Sequence, residues 1–229
     1  MQNTDNVIEK YNKVITRIRN SAEVRNRNFK RIKPILVIKY AKDLDVLELL
    51  GFLGAASAAE SKLQDAQKRW NKDEFKALRN KTALHFIGAL QKNKIAKIVN
   101  LFDYIDSVDT IEHAEFINAK AKEQGKKVNC LLQIKLTKSA TQSGANPQDV
   151  HTLVEHIKTL EHINLKGFMA IAPQVENIED LRHLFKEIKI LNDKELGPEA
   201  ELSLGMSNDF ETAVEEGSTM PRIGSAIFG

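Results

Sequence analysis

The chain has 229 residues, 42% hydrophobic and 28% charged, with a formal net charge of +3. That length supports one sizeable core, and a single cysteine, Cys130, excludes an intrachain disulfide framework and points to a reducing compartment, the cytoplasm. No apolar stretch reaches transmembrane length, and the N-terminal MQNTDNVIEKYNK lacks the apolar region of a signal peptide. Residues 1–40 hold ten Lys or Arg against three Asp or Glu. Aromatics are sparse and no nucleic-acid module is recognisable, so this excess is read as a solvated helix face, with no nucleic-acid or membrane partner.

In chain order, Val7, Ile8, Tyr11, Val14, Ile15 and Ile18 recur at helical spacing. Apolar runs and amphipathic segments then alternate. A strand is expected over 34–39 and a helix over 43–50. A second strand is expected over 51–57 (GFLGAAS) and a helix over 60–70. A third strand follows over 84–88 with a helix over 91–99, and a fourth over 103–109 with a helix reaching 123. The fifth strand covers 127–136. Asn146 is placed as an N-cap and Pro147 at the first helical position, with Val150, Leu153, Val154, Ile157 and Leu160 as the buried stripe. The sixth strand covers 165–171, and Ile178, Leu181, Leu184, Phe185 and Ile188 mark the next helix. The last strands are read over 201–205 and 219–224, with a short helix over 208–216 between them. Eight strands, each but the last followed by a helix, predict a single (β/α)8 barrel, a TIM barrel, over residues 1–229 as one domain. Eight units favour closure over an open doubly wound sheet.

In such a barrel the working residues lie at the C-terminal ends of the strands. Lys39 closes the apolar run Pro34 to Ile38 and stands at that place on the first strand. Partial desolvation there lowers the pKa of a lysine and favours the nucleophilic amine, which forms Schiff bases with aldehydes. A lysine snorkelling out of the barrel mouth is the plain alternative. SLGMSNDF puts Ser207 and Asn208 at the start of a short helix after the seventh strand, where backbone N–H groups favour anions. RIGSAIFG puts Gly224 and Ser225 just after the eighth. Each alone reads as an ordinary cap or turn. Together, in the two loops where such barrels often bind phosphate, they point to a phosphorylated aldehyde.

HFIGALQKNK (85–94), KGFMAI (166–171) and LSLGMSNDFETAVEEGSTMPRIGSAIFG (202–229) resemble the YggS/PROSC family, the pyridoxal phosphate homeostasis proteins. ILVIKYAK resembles that family's cofactor-bearing strand, and the similarity runs from about residue 30 to the end. The resemblance implies a barrel like the N-terminal domain of alanine racemase, binding pyridoxal 5'-phosphate (PLP). By it, Lys39 is the Schiff-base lysine, and Ser207, Gly224 and Ser225 contact the phosphate, with Ser225 standing where the family usually has threonine. Arg222 matches the arginine facing the pyridine nitrogen; it cannot accept a proton there, which weakens the ring as an electron sink.

The chain departs from the family at the aldehyde end. Val37, Ile38, Lys39 and Tyr40 stand where the family usually has Val-Ser-Lys-Thr. Its Phe-Gly-Glu-Asn motif falls on Ala58, Ala59, Glu60 and Ser61, and Pro221 replaces an apolar residue beside the arginine. The phosphate end is kept. The resemblance implies a monomeric carrier without robust catalytic activity, buffering PLP and passing it to apo-enzymes. Two alternatives stay open: a racemase-like PLP enzyme, with Tyr40 as a local base, or a degenerate relative with another ligand. His151 and His156 are five apart on a helix, so their rings diverge and no metal site is read there. His85 is read as structural and Cys130 as a buried, inert thiol.

Overall fold

A computed structural model describes residues 6–137 and 142–229. Asn6 starts the first helix: its side chain accepts from the Glu9 backbone N–H at 2.9 Å, while the Glu9 carboxylate accepts from the Asn6 N–H at 3.2 Å. This reciprocal cap satisfies two amides that a helix leaves unpaired. Helix α1 (Val7–Val24) buries Val14, Ile18 and Ala22.

After a 3-10 turn at Phe29–Arg31 the alternation begins: β1 (Ile35–Val37), α2 (Asp43–Leu53), β2 (Ala56–Glu60), α3 (Leu63–Trp70), α4 (Asp73–Arg79) and β3 (Thr82–Phe86). It continues with α5 (Lys92–Leu101), β4 (Tyr104–Val108), α6 (Ile111–Glu123), β5 (Val128–Ile134), α7 (Val150–Lys158) and β6 (Ile163–Ala170). The last units are α8 (Arg182–Leu196), β7 (Glu201–Ser203), α9 (Phe210–Glu215), β8 (Arg222–Ile223) and α10 (Ser225–Phe228).

The strands pair in parallel in the order β7-β6-β5-β4-β3-β2-β1-β8. The seam between β7 and β8 is joined by backbone bonds: Arg222 N–H to the Gly205 carbonyl at 2.9 Å, and Thr219 and Met220 N–H to the Leu202 carbonyl at 2.8 and 3.0 Å. The sheet therefore closes into the expected (β/α)8 barrel. Side chains alternate in and out. Leu36, Ala58 and Leu84 join the large core under the helices, whereas Ile35, Ala59 and Met220 form a small separate cluster inside the barrel.

Part of the early basic excess is paired within the chain. Arg17 pairs with Glu211 of α9 at 2.5 Å and Arg25 with Glu216 at 3.3 Å. Arg27 donates to the Ser218 and Gly217 carbonyls at 2.9 Å. Among the described residues no helix is long and apolar enough to cross a membrane.

Several expected boundaries are corrected. Gly51 to Leu53 prolong α2, and Gly54, at φ 69°, ends it by giving its N–H to the Leu50 carbonyl. The second strand is therefore not 51–57 but the alanine-rich stretch that follows. The first strand ends at Val37, so Lys39 sits two residues beyond it in a turn closed by Ala41 N–H and the Ile38 carbonyl at 3.0 Å. Helix α4 was not expected; it buries one large residue, Phe75, edge-on against Trp70. Asn146 does not cap α7. Its side chain bonds Asp149 at 2.9 Å, and Pro147 opens a 3-10 turn before the helix. Ser207 and Asn208 precede α9, which starts at Phe210. The last strand is itself followed by a helix, α10.

Candidate functional site

The five residues singled out from sequence, Lys39, Ser207, Arg222, Gly224 and Ser225, line one cavity of about 650 Å³ at the C-terminal ends of the strands. That volume suits a small-molecule site.

On one side stands Lys39. Its Nζ lies 5.1 Å from the centre of the exposed Tyr40 ring, a cation–π contact. It makes no ion pair among the described residues. The turn that carries it is held from behind by Arg69 of α3. Arg69 donates to the Ile38 carbonyl at 2.8 Å, to the Ala41 carbonyl at 2.9 Å and to Asp43 Oδ1 at 2.8 Å, and it also bonds Glu60. Glu60 is fully buried and its second oxygen has no partner among the described residues. Burial pushes its carboxyl up to about 7, against the pull of the Arg69 cation. Asp43 is shared with Lys72; against the cost of burial, the Lys72 and Arg69 hydrogen bonds hold its carboxyl below the usual range.

On the other side the loops after β7 and β8 are tied together. The Ser207 hydroxyl accepts from Gly224 N–H and Ala226 N–H, each at 3.2 Å. Ser207 thus serves the helix after β8, not its own. Gly205, at φ 85°, takes a backbone conformation that favours glycine and lets the β7 loop turn towards Ser207. A Cβ on Gly224 would stand 3.3 Å from the Val37 carbonyl oxygen, so the backbone of the β8 loop lies close on β1.

Arg222 rises from β8 and is only 4% exposed. Its guanidinium donates to the Ser203 carbonyl and hydroxyl at 2.8 Å and to the Ala170 carbonyl at 2.9 Å. Burial pushes it down to about 10, opposed by Asp106 and Asp209; it remains a cation at neutral pH. His85, buried on β3, is held by Asp106 through Nδ1 at 2.9 Å and stacks on Tyr104 at 4.2 Å. It does not line the cavity. Cys130 is fully buried, and burial pushes its thiol up, away from the reactive thiolate.

Sequence reading missed three groups. Arg69 carried no signal, because two of its partners are main-chain carbonyls roughly thirty residues upstream and the others are carboxylates on separate elements. Ser203 looked like an ordinary strand residue. Asp209, which lines the cavity and accepts from the Met206 N–H, has a local signal in the Ser-Asn-Asp turn sequence.

The donor set has a clear chemistry. A primary amine without an ion-pair partner among the described residues stands on one side; hydroxyls and a tightly packed glycine loop stand on another; a fixed guanidinium completes the wall. Such a wall fits a carbonyl compound that also carries an anionic group. The fold and site define a small-molecule-binding (β/α)8 barrel. The sequence model described as "Alanine racemase, N-terminal domain" matches residues 16–229. The pyridoxal phosphate homeostasis protein of Aquifex aeolicus is 30% identical, with 98% of each chain covered. That of Haemophilus influenzae is 29% identical over 98% of this chain and 95% of its own. A solved structure of PipY from Synechococcus elongatus, with PLP bound, superposes with a TM-score of 0.78 at 28% identity, covering 93% of this chain and 100% of that one. The chain belongs to the family of the alanine racemase N-terminal domain and, within it, to the pyridoxal phosphate homeostasis proteins.

Proposed function

We propose that residues 1–229 act as one barrel that holds and releases PLP in intracellular PLP homeostasis, with no robust turnover of its own. The observation that carries this is the gathering of Lys39, Ser207, Arg222, Gly224 and Ser225 around one cavity in a chain of this family. When bound, PLP supplies an aldehyde that takes up a primary amine reversibly. Lys39 offers that amine on a turn fixed from behind. The Ser207 and Ser225 hydroxyls and the Gly224 loop bind the phosphate. Arg222, locked by Ser203 and Ala170, supplies a permanent cation and no proton acceptor.

The lining supports a holder over a racemase. Racemisation needs proton-transfer groups on both faces of the substrate. Among the described residues, the titratable side chains in the lining are Lys39, Tyr40, Asp209 and Arg222. Tyr40 shares its turn with Lys39, and Asp209 is engaged by Met206. The protein works in the cytoplasm as a monomer and yields PLP to apo-enzymes; the unpaired, buried Cys130 is in keeping with a reducing compartment.

The test is to add PLP, reduce with borohydride and map the product by mass spectrometry. A pyridoxyl group on Lys39, absent from Lys39→Ala, with L-alanine keeping its chirality on incubation, is the expected result. Label scattered over surface lysines would sink the covalent reading, and racemised alanine would establish the enzyme instead.

A further inference from the structure

We propose that Arg69 is the positioning residue for Lys39: one guanidinium, anchored on buried Glu60, holds both ends of the turn that presents the amine. The inference rests on the reading of Lys39 as the cofactor lysine. It deepens that reading, because it explains how a lysine beyond the end of a three-residue strand is kept in place.

The geometry is specific. The turn 38–41 has a single internal backbone bond, Ala41 N–H to Ile38 carbonyl, and one bond back to the sheet, Ile38 N–H to the Ala59 carbonyl at 3.0 Å. Lys39 and Tyr40 lie between these points with no sheet partner of their own. Arg69 bridges the two carbonyls that flank them. Its Nε fixes the start of α2 through Asp43, and its remaining contact is Glu60 at the end of β2. The side chain is only 11% exposed, so these bonds are little diluted by water. A planar fork with five donors can serve four acceptors at once; a lysine in its place is a point charge with three donors and cannot span them. Glu60 has no contact with the cavity. Its part is to give Arg69 a buried acceptor beside the Asp43 carboxylate, so that the guanidinium is held from two sides.

The test uses the full chain with Arg69→Lys, which keeps the charge, and Asp43→Asn, which leaves a neutral acceptor for Nε and so weakens that anchor, while also ending the partly exposed ion pair with Lys72. Two readouts are taken: hydrogen exchange of the Ala41 amide without ligand, and the yield of pyridoxyl on Lys39 after PLP and borohydride. In Arg69→Lys, Ala41 should exchange about tenfold faster and Lys39 labelling should fall by a similar factor, the effect of losing a charged hydrogen bond. Amides of β5 should be unchanged. Asp43→Asn should shift both readouts the same way by less, and it carries the test if Arg69→Lys does not fold. Wild-type exchange and labelling in a folded Arg69→Lys protein overturn the proposal, as does faster exchange with undiminished labelling. If wild-type protein takes no label on Lys39 while Ala41 still responds, the cofactor reading falls and the clamp on the Lys39 turn stands.

Discussion

The Ser207 hydroxyl accepts a hydrogen bond from the Gly224 backbone N–H at 3.2 Å, joining the loops that follow the seventh and eighth strands. The same oxygen accepts from Ala226, so one side chain holds the start of α10 against the β7 loop. Ser207→Ala strips both amides of their acceptor. The loss should lower stability by about 1–2 kcal/mol. On the proposal that Ser207 helps to hold the phosphate, it should also weaken PLP binding about tenfold, because that loop loses both a donor and its shape. Urea unfolding and a PLP absorbance titration read the two effects. A variant that titrates like wild type would remove Ser207 from the phosphate site.

The β7 loop depends on Gly205 for its direction. At φ 85°, a Cβ would stand 2.6 Å from the Ala213 Cβ and 2.8 Å from the Phe210 Cα. Strain and overpacking add, so Gly205→Ala should cost about 2–4 kcal/mol in chemical denaturation. A cost under about 1 kcal/mol would show that the loop can turn another way.

Arg222→Lys tests the fork on the opposite wall. The Ser203 carbonyl, Ser203 hydroxyl and Ala170 carbonyl are all served by one guanidinium in a buried place. An ammonium cannot reach all three, and each acceptor left unpaired costs about 1–3 kcal/mol. Urea midpoints should fall accordingly with the net charge unchanged. An unshifted midpoint would mean that water replaces the missing bonds.

The barrel was legible because apolar runs and amphipathic segments alternate eight times, a local property of the chain. That the loops after the last two strands line the cavity was legible because small residues cluster at the ends of those two runs. The second strand was not, since Ala56 to Ala59 have no β-branched or aromatic signature while Gly51 to Leu53, which do look apolar, complete a helix turn. Ser207 lines the cavity, but its partners were not legible, because its hydroxyl bonds amides 17 and 19 residues downstream. The Arg69 clamp lay beyond any local pattern: a side chain meeting carbonyls 28 and 31 residues back is set by the closure of β1 on β2, which only the folded chain displays.

Glu60 leaves a mark on the pH dependence of stability. Burial raises its carboxyl from the ordinary 4.5 to about 7, against the Arg69 ion pair. Between those values the folded chain binds the proton and the unfolded chain does not. The fold therefore gains most from this group below about 4.5 and loses that gain as pH rises to about 7. Asp43 runs the other way, its carboxyl held low by Lys72 and Arg69 against the cost of burial, so its contribution is lost only as pH falls through the acid range. Comparing wild type with Glu60→Gln cancels the Asp43 effect. Glutamine keeps an acceptor for Arg69 and adds a donor at the oxygen that has no partner among the described residues. The variant should gain on wild type progressively across that window, by about 3 kcal/mol at most. Urea unfolding at matched ionic strength, at pH values on either side of the window, measures the gap. A difference that stays constant with pH would show that Glu60 is ionised throughout and that Arg69 outweighs its burial.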